Sequence, residues 1–284
     1  MKFWKMHGAG NDFVLFDADA FPSPGDIGSP MSLAWGELAV ILCDRHFGIG
    51  ADGVQFAGKS DIADIRYYYY NSDGSRGEMC GNGIRCFAKY VYERGILKKD
   101  RFTVETDDGV RQLSLNVSAD GLVHEASAGM GSGSDIRLNE GLTVDGRGFL
   151  YSAMLMGVPH MTIFGPLPDI AALERIGPLI ERHPDFPRKT NVNFAQITGD
   201  NEITMLTWER GAGHTLACGT GACATGVLAK KLNLVEGPDI ALILEGGWVR
   251  VTLHDGGQVT LSGPAVKAFE GEYEKEISCF GRKL

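Results

Sequence analysis

One short string occurs twice in this chain, and the repetition limits how it can fold. Cys80-Gly81-Asn82-Gly83 and Cys218-Gly219-Thr220-Gly221 stand 138 residues apart in a chain of 284. Each copy is followed by a proline-free run with apolar residues at helical spacing, Ile84 to Tyr92 in the first and Ala222 to Lys230 in the second. An offset near half the length implies internal duplication: two similar domains, each opening a helix with a cysteine and lending that cysteine to a shared cleft. A domain usually takes about 100–200 residues, so the length agrees.

Strand candidates punctuated by Gly, Asp or Asn dominate the rest. They are Phe13 to Asp17, Ile62 to Tyr70, Phe102 to Thr106, Gln112 to Val117, Leu122 to Ala126, Phe149 to Met156, Val192 to Ile197, Ile203 to Trp208, Ile240 to Leu244, Trp248 to Leu253 and Gln258 to Ser262. Four helices are expected, at Ser32 to His46, Asn82 to Arg94, Asp169 to His183 and Thr220 to Leu232. The pattern lacks the strand-helix alternation of a doubly wound sheet and predicts a mixed α/β (α+β) chain in which mostly antiparallel strands wrap a central helix in each half. The glycine-rich stretch Ala128 to Leu138 reads as the linker, with domains at 1–126 and 127–269 and residues 270–284 packing back on the first.

Composition removes several classes of partner. The net charge is −9, with 27 Lys and Arg against 36 Asp and Glu, and no basic face is evident for a nucleic-acid backbone. Apolar stretches such as Phe149 to Val158 fall short of the roughly 20 residues that span a bilayer. Met1 to Gly8 lacks the hydrophobic region of a signal peptide. A cytoplasmic protein with reduced cysteines is expected, and Cys43, Cys86, Cys223 and Cys279 read as structural.

A cysteine at a helix start has a chemical use. The first amides of a helix lack internal partners and carry roughly half a positive charge between them, which favours thiolate and predicts a lowered thiol pKa. The following glycines let the backbone approach an anion such as a carboxylate. Zinc is disfavoured, because five residues separate Cys80 from Cys86 and four separate Cys218 from Cys223, within helices, so the sulfurs diverge. Gly48-Ile49-Gly50-Ala51-Asp52-Gly53 matches the G-x-G-x-x-G dinucleotide pattern but follows a helical run where a strand is required, so it reads as a ligand-facing or structural loop. Two sulfurs facing opposite sides of one α-carbon, one thiolate as base and one thiol as acid, invert its configuration without a metal or prosthetic group.

Met6-His7-Gly8-Ala9-Gly10-Asn11-Asp12-Phe13, Asn71-Ser72-Asp73-Gly74-Ser75 before the first cysteine motif, Thr190-Asn191-Val192-Asn193-Phe194, and Glu209-Arg210-Gly211-Ala212-Gly213 before the second complete a pattern. From the first residues to about Gly271, the chain resembles the diaminopimelate epimerase family. The resemblance implies interconversion of LL- and meso-diaminopimelate without pyridoxal phosphate, on the route to lysine and peptidoglycan, by a homodimer whose two similar domains are each a β-barrel-like sheet around a central helix. It assigns Cys80 and Cys218 as the acid-base pair, and Gly81-Asn82 and Gly219-Thr220 to the reacting carboxylate. Asn11, Asn71, Asn191, Glu209 and Arg210 contact substrate, and His160 with Glu209 tunes the thiols. Three positions depart from the family's pattern: Val158 replaces an Asn, His214 a Glu, and Phe269 an interface Tyr. Losing one hydrogen bond to a charged group costs ~1.5–3 kcal/mol, so Val158 keeps a two-cysteine racemase or epimerase for another amino acid open. A zinc- or redox-dependent binding protein is the alternative from a different class.

Overall fold

The computed structural model describes residues 1–17 and 35–274. Its first half runs β1 (Lys2–Gly8), β2 (Asn11–Asp17), α1 (Trp35–Cys43), β3 (Gly53–Gly58), β4 (Ile65–Asn71), β5 (Arg76–Gly77), α2 (Gly81–Glu93), β6 (Arg101–Thr106), β7 (Gly109–Val117) and β8 (Val123–Ser132). After β9 (Ser134–Val144), the second half runs β10 (Arg147–Met156), β11 (Val158–Phe164), α3 (Ile170–Glu181), β12 (Asn191–Gly199), β13 (Glu202–Glu209), β14 (Gly213–Thr215), α4 (Gly219–Lys231), β15 (Asp239–Leu244), β16 (Gly247–Leu253), β17 (Gln258–Gly263) and β18 (Val266–Glu272).

The pairing makes the duplication visible. In the first half β1 meets β2 antiparallel, β2 meets β3 parallel, β3 meets β4 antiparallel, β4 meets β6 parallel, and β6, β7 and β8 follow antiparallel, with β5 on the side of β4. The second half repeats this sequence of pairings from β10 through β17, with β14 in the place of β5. The halves join where β8 lies antiparallel to β17. Their last strands are exchanged: β18, from the end of the chain, pairs with β1, while β9 pairs with β10.

Helices α2 and α4 run through the middle of their halves. The side chains of Ile84, Phe87, Ala88 and Val91 on α2, and of Ala222, Ala224, Leu228 and Ala229 on α4, belong to one apolar core that continues across both halves. Helix α1 closes a second core with Val14, Phe16 and Phe56, and α3 a third with Met161, Val192 and Phe194. Helix α2 packs against β8, β1 and β2, and α4 against β10, β11 and β16, which holds the first turn of each in place.

Three expectations are corrected. Residues 128–138 are not a loose linker but strand, in β8 and β9 with only Gly133 between them. Ala126, Ala128 and Met130 alternate inward, a period-2 signal hidden by the small residues around them, Ser127, Gly129 and Gly131. A Cβ at Gly133 would collide with the Met154 side chain, so glycine there serves close packing. Strands β1, β3, β5, β9, β11, β14 and β18 were not expected. Helix α1 ends at Cys43 and not His46, because the Asp44 carboxylate accepts from His46 N at 2.8 Å and Phe47 N at 2.9 Å and turns the chain. The expected start of that helix at Ser32, and Cys279, lie outside the described residues.

Candidate active site

Both repeated cysteines are the residue from which a helix starts. Cys80 is extended (φ −126°, ψ 120°) and its carbonyl accepts from Ile84 N at 2.8 Å. Cys218 matches it (φ −119°, ψ 110°) and accepts from Ala222 N at 2.9 Å. The two helix starts abut: a Cβ on Gly219 would lie 3.3 Å from the Gly81 Cα, and Asn82 Nδ2 donates to Ala217 O at 3.2 Å across the halves. Glycine at 81 and 219 is what lets two helix N-termini, with their unpaired amides, converge on one place.

On the first side, the Cys80 thiol faces Asn11 Oδ1 at 3.6 Å. Asn11 Nδ2 donates to Asp52 at 2.6 Å. Asn71, at the end of β4, accepts from Tyr69 OH at 2.7 Å and donates to Ser75 Oγ at 2.9 Å. Arg85 is fully buried one turn into α2 and donates to Gly81 O at 2.9 Å and Asn82 Oδ1 at 3.2 Å. It thereby braces the residues that follow Cys80.

On the second side, Cys218 Sγ accepts from Gly221 N at 3.4 Å and lies 3.6 Å from Thr220 Oγ1. Thr220 in turn meets His160 Nε2 at 3.0 Å. Glu209 pairs with the Cys218 thiol and accepts from Thr215 Oγ1 at 2.6 Å. Asn191 donates to Pro159 O at 2.9 Å and accepts from Arg210 N at 2.9 Å. The Arg210 guanidinium is exposed and donates to Arg188 O at 3.1 Å, so of that residue only the backbone is tied into the cluster.

Burial overturns the expected thiol ionisation. Desolvation pushes the Cys80 thiol up, against the amides of Asn82 and Gly83, which pull it down. It pushes Cys218 further, with the Glu209 carboxylate adding to the rise and Thr220 and Gly221 opposing it. Burial also raises Glu209 itself. His160 is driven down to about 3 by burial, with Arg210 adding to it, and is a neutral ring. In the unliganded site both sulfurs therefore hold protons, because loss of hydration outweighs the helix ends. The buried Cys86 and Cys223 are pushed up to about 12 and are inert, as expected of structural thiols. Among the described residues no group of three or more His, Cys, Asp and Glu side chains is arranged to hold a metal ion.

Several participants were not singled out from sequence. Asn193, fully buried, donates to Met161 O at 3.2 Å and accepts from Thr207 at 3.2 Å, holding the strand that carries His160. Its two-residue spacing from Asn191 places both on one face of β12, a signal that was available. Asp52 gave none, since it acts through Asn11, distant in sequence; Thr215 and Arg85 act on near neighbours, Glu209 and Gly81-Asn82, but only once the chain has turned their side chains inward. Of the departures, Val158 is half-buried at the start of β11, His214 contacts Glu245, and Phe269 stands exposed on β18 beside Phe3.

Comparison with known proteins fits this geometry. A family model described as diaminopimelate epimerase matches residues 3–131 and 152–268. Diaminopimelate epimerase of Alkaliphilus metalliredigens is 42% identical over 285 residues, covering 96% of this chain and 97% of its own. That of Pelotomaculum thermopropionicum is 44% identical over 286 residues, covering 96% and 99%. Two solved structures share the fold alone: an Agrobacterium vitis hydroxyproline epimerase with bound trans-4-hydroxy-L-proline (TM-score 0.71, 16% identity, 95% and 91% covered) and a Bacillus anthracis phenazine biosynthesis protein of the PhzF family (TM-score 0.69, 15% identity, 97% and 99% covered). With matched segments spanning both halves and both cysteine-led helices, the chain belongs to the diaminopimelate epimerase family.

Proposed function

We propose that this isomerase interconverts LL- and meso-diaminopimelate by a two-base mechanism in which Cys80 and Cys218 work from opposite faces of one α-carbon. The observation that carries the reading is the abutting of two cysteine-led helix starts through Gly81 and Gly219. The backbone amides of Gly81-Asn82 and Gly219-Thr220 bind the α-carboxylate, whose charge grows as the α-proton leaves. One sulfur, as thiolate, takes that proton; the other, as thiol, delivers its own to the opposite face. The C–H bond breaks towards one sulfur and forms from the other, so the pair ends with its proton exchanged between the two. Glu209, whose carboxylate acts on Cys218 in a site that raises both, provides the place for the proton that Cys218 gives up. Asn11, Asn71, Asn191, Glu209 and Arg210 contact the substrate, and His160 acts on Cys218 through Thr220. No pyridoxal phosphate enters this scheme.

The experiment is proton NMR of reduced protein in D₂O with each isomer. Deuterium should enter the α-position of the epimer formed and not, at early times, that of recovered substrate. Cys80→Ala and Cys218→Ala should each lower conversion by about 10³-fold or more, within the range general acid–base groups contribute. A single variant with wild-type turnover defeats the two-base reading. No exchange with diaminopimelate by a folded, reduced enzyme moves the substrate to another amino acid, with Val158 the first residue to exchange for Asn. Membership of an epimerase family displaces the zinc- or redox-dependent binding protein.

The same reading takes the chain as two domains at 1–126 and 127–269 with the C-terminal segment folded on the first, and the pairing of β18 with β1 supports it. It also takes the enzyme as a cytoplasmic homodimer. The five described cysteines are free, which suits a reducing compartment. Strand β18 pairs on one side only among the described residues, and it carries Phe269 at 49% and Val266 at 42% exposure, an apolar edge that a second copy would cover. Phe269→Asp should shift light scattering from dimer to monomer.

A further inference from the structure

The loop Gly48 to Gly53 resembles a dinucleotide motif without being one, and the chemistry above leaves it unused. Asp52 within it has hydrogen-bond partners on both carboxylate oxygens and on its backbone. Its Oδ1 accepts from Arg45 Nη2 at 2.8 Å. Its Oδ2 accepts from Asn11 Nδ2 at 2.6 Å and Asp12 N at 3.1 Å. Its backbone N donates to Asp12 O at 2.9 Å, and its carbonyl accepts from Ser72 N at 3.0 Å, next to Asn71. The loop thus spans the two asparagines on the Cys80 side of the cleft.

An ionised carboxylate accepts hydrogen bonds and donates none. Asn11 must therefore turn its NH₂ towards Asp52, which leaves its carbonyl oxygen facing the Cys80 sulfur at 3.6 Å. An amide oxygen can accept from a thiol and repels a thiolate. We infer that Asp52 is a positioning residue: by fixing which end of the Asn11 amide meets Cys80, it holds Cys80 as the thiol, ready to donate, in the unliganded enzyme. The inference rests on the reading of Cys80 as one of the two catalytic sulfurs, yet its test needs no substrate. Other charged or titratable groups acting on Cys80 are Arg85 and Cys86 on α2, Tyr67 and Tyr69 on β4, and Glu209 at the end of β13. None of these is a hydrogen-bond partner of Asp52 among the described residues.

Asp52→Asn provides the test, because an amide at 52 can donate to Asn11 Oδ1 and let the Asn11 NH₂ turn to the sulfur. Iodoacetamide alkylation of Cys80, followed by peptide mass spectrometry from pH 6 to 10, reads the thiolate directly, with Cys218 as internal reference. In Asp52→Asn the Cys80 rate near neutral pH should rise about tenfold, the change that one unit of pKa brings. Asp52→Glu, which keeps an accepting group, should leave the Cys80 profile as in the wild type. In an Asn11→Ala background Asp52→Asn should add nothing, since the effect passes through Asn11. An unchanged Cys80 profile in folded Asp52→Asn overturns the inference, as does an equal shift in the Asn11→Ala background. If Asp52→Asn does not fold, a folded Asp52→Glu whose Cys80 reacts tenfold faster overturns it instead. Failure of wild-type protein to act on diaminopimelate leaves these alkylation profiles untouched and reports on the substrate alone.

Discussion

At the scale of single residues, the site is governed by who shares a proton with whom. Cys218 and Glu209 are each raised by burial, and the carboxylate raises the thiol further. Glu209→Gln removes that charge and should speed Cys218 alkylation at pH 8 several-fold while slowing epimerisation at least tenfold. Unchanged alkylation would show that burial alone sets the thiol. Arg85 shows what residue-level reading of a sequence cannot see. A charge in a helix ordinarily reads as solvated, yet this guanidinium is fully buried, bonded to Gly81 O and Asn82 Oδ1, with Nε unpartnered among the described residues. Only the sheet around α2 decides that it points inward.

At the scale of elements, the contact between α2 and α4 depends on residues with no side chain. A Cβ on Gly219 would meet Leu261 at 3.0 Å and the Gly81 Cα at 3.3 Å. Gly219→Ala should cost ~1–3 kcal/mol of stability, the usual range for overpacking, and should lower turnover more than tenfold by separating the helix starts. A variant with wild-type melting and turnover would show that the two helices have room to spare. Strands were legible where one face is buried. In β6, Phe102, Val104 and Thr106 alternate inward, and in β15, Ile240, Leu242 and Leu244 do. Strand β3 is buried almost throughout, β18 is almost wholly exposed, and neither alternates. Period-2 reading has nothing to find there.

At the scale of the whole molecule, two buried or paired groups predict how the fold responds to acid. Lys5 and Arg45 hold the Asp12 carboxyl down at about 2 against the opposing effect of burial. A carboxyl lowered in the folded state stabilises it above its ordinary value of 3.8, and the contribution is lost as pH falls to about 2. Asp12→Asn should therefore cost roughly 2 kcal/mol at pH 7, from a shift near two units, and almost nothing near pH 2. His160 adds a second sensitivity. Its ring titrates at 6.5 when unfolded and about 3 when folded, so between these values the unfolded chain binds an extra proton and stability rises with pH. Urea unfolding at pH 4.5 and 7 should show this loss in the wild type and a smaller one in His160→Gln. Equal losses would mean that the ring is not buried neutral.

The sequence by itself determined the duplication, the two cysteine-led helices and the mixed α/β class, while the polar residues around each cysteine rested on the resemblance to a family. The first three follow from local rules and repetition: helical spacing, glycine after a cap, and a string that occurs twice. Tertiary structure alone decided that β8 joins β17, that β9 and β18 are exchanged between the halves, and that the glycine-rich stretch is strand. It also decided that both thiols are raised, against the lowering expected from helix ends. The reason is common to all of these. Strand partners and hydration are properties of what lies nearby in space, and for β8 and β18 the partner strand lies far away in the sequence.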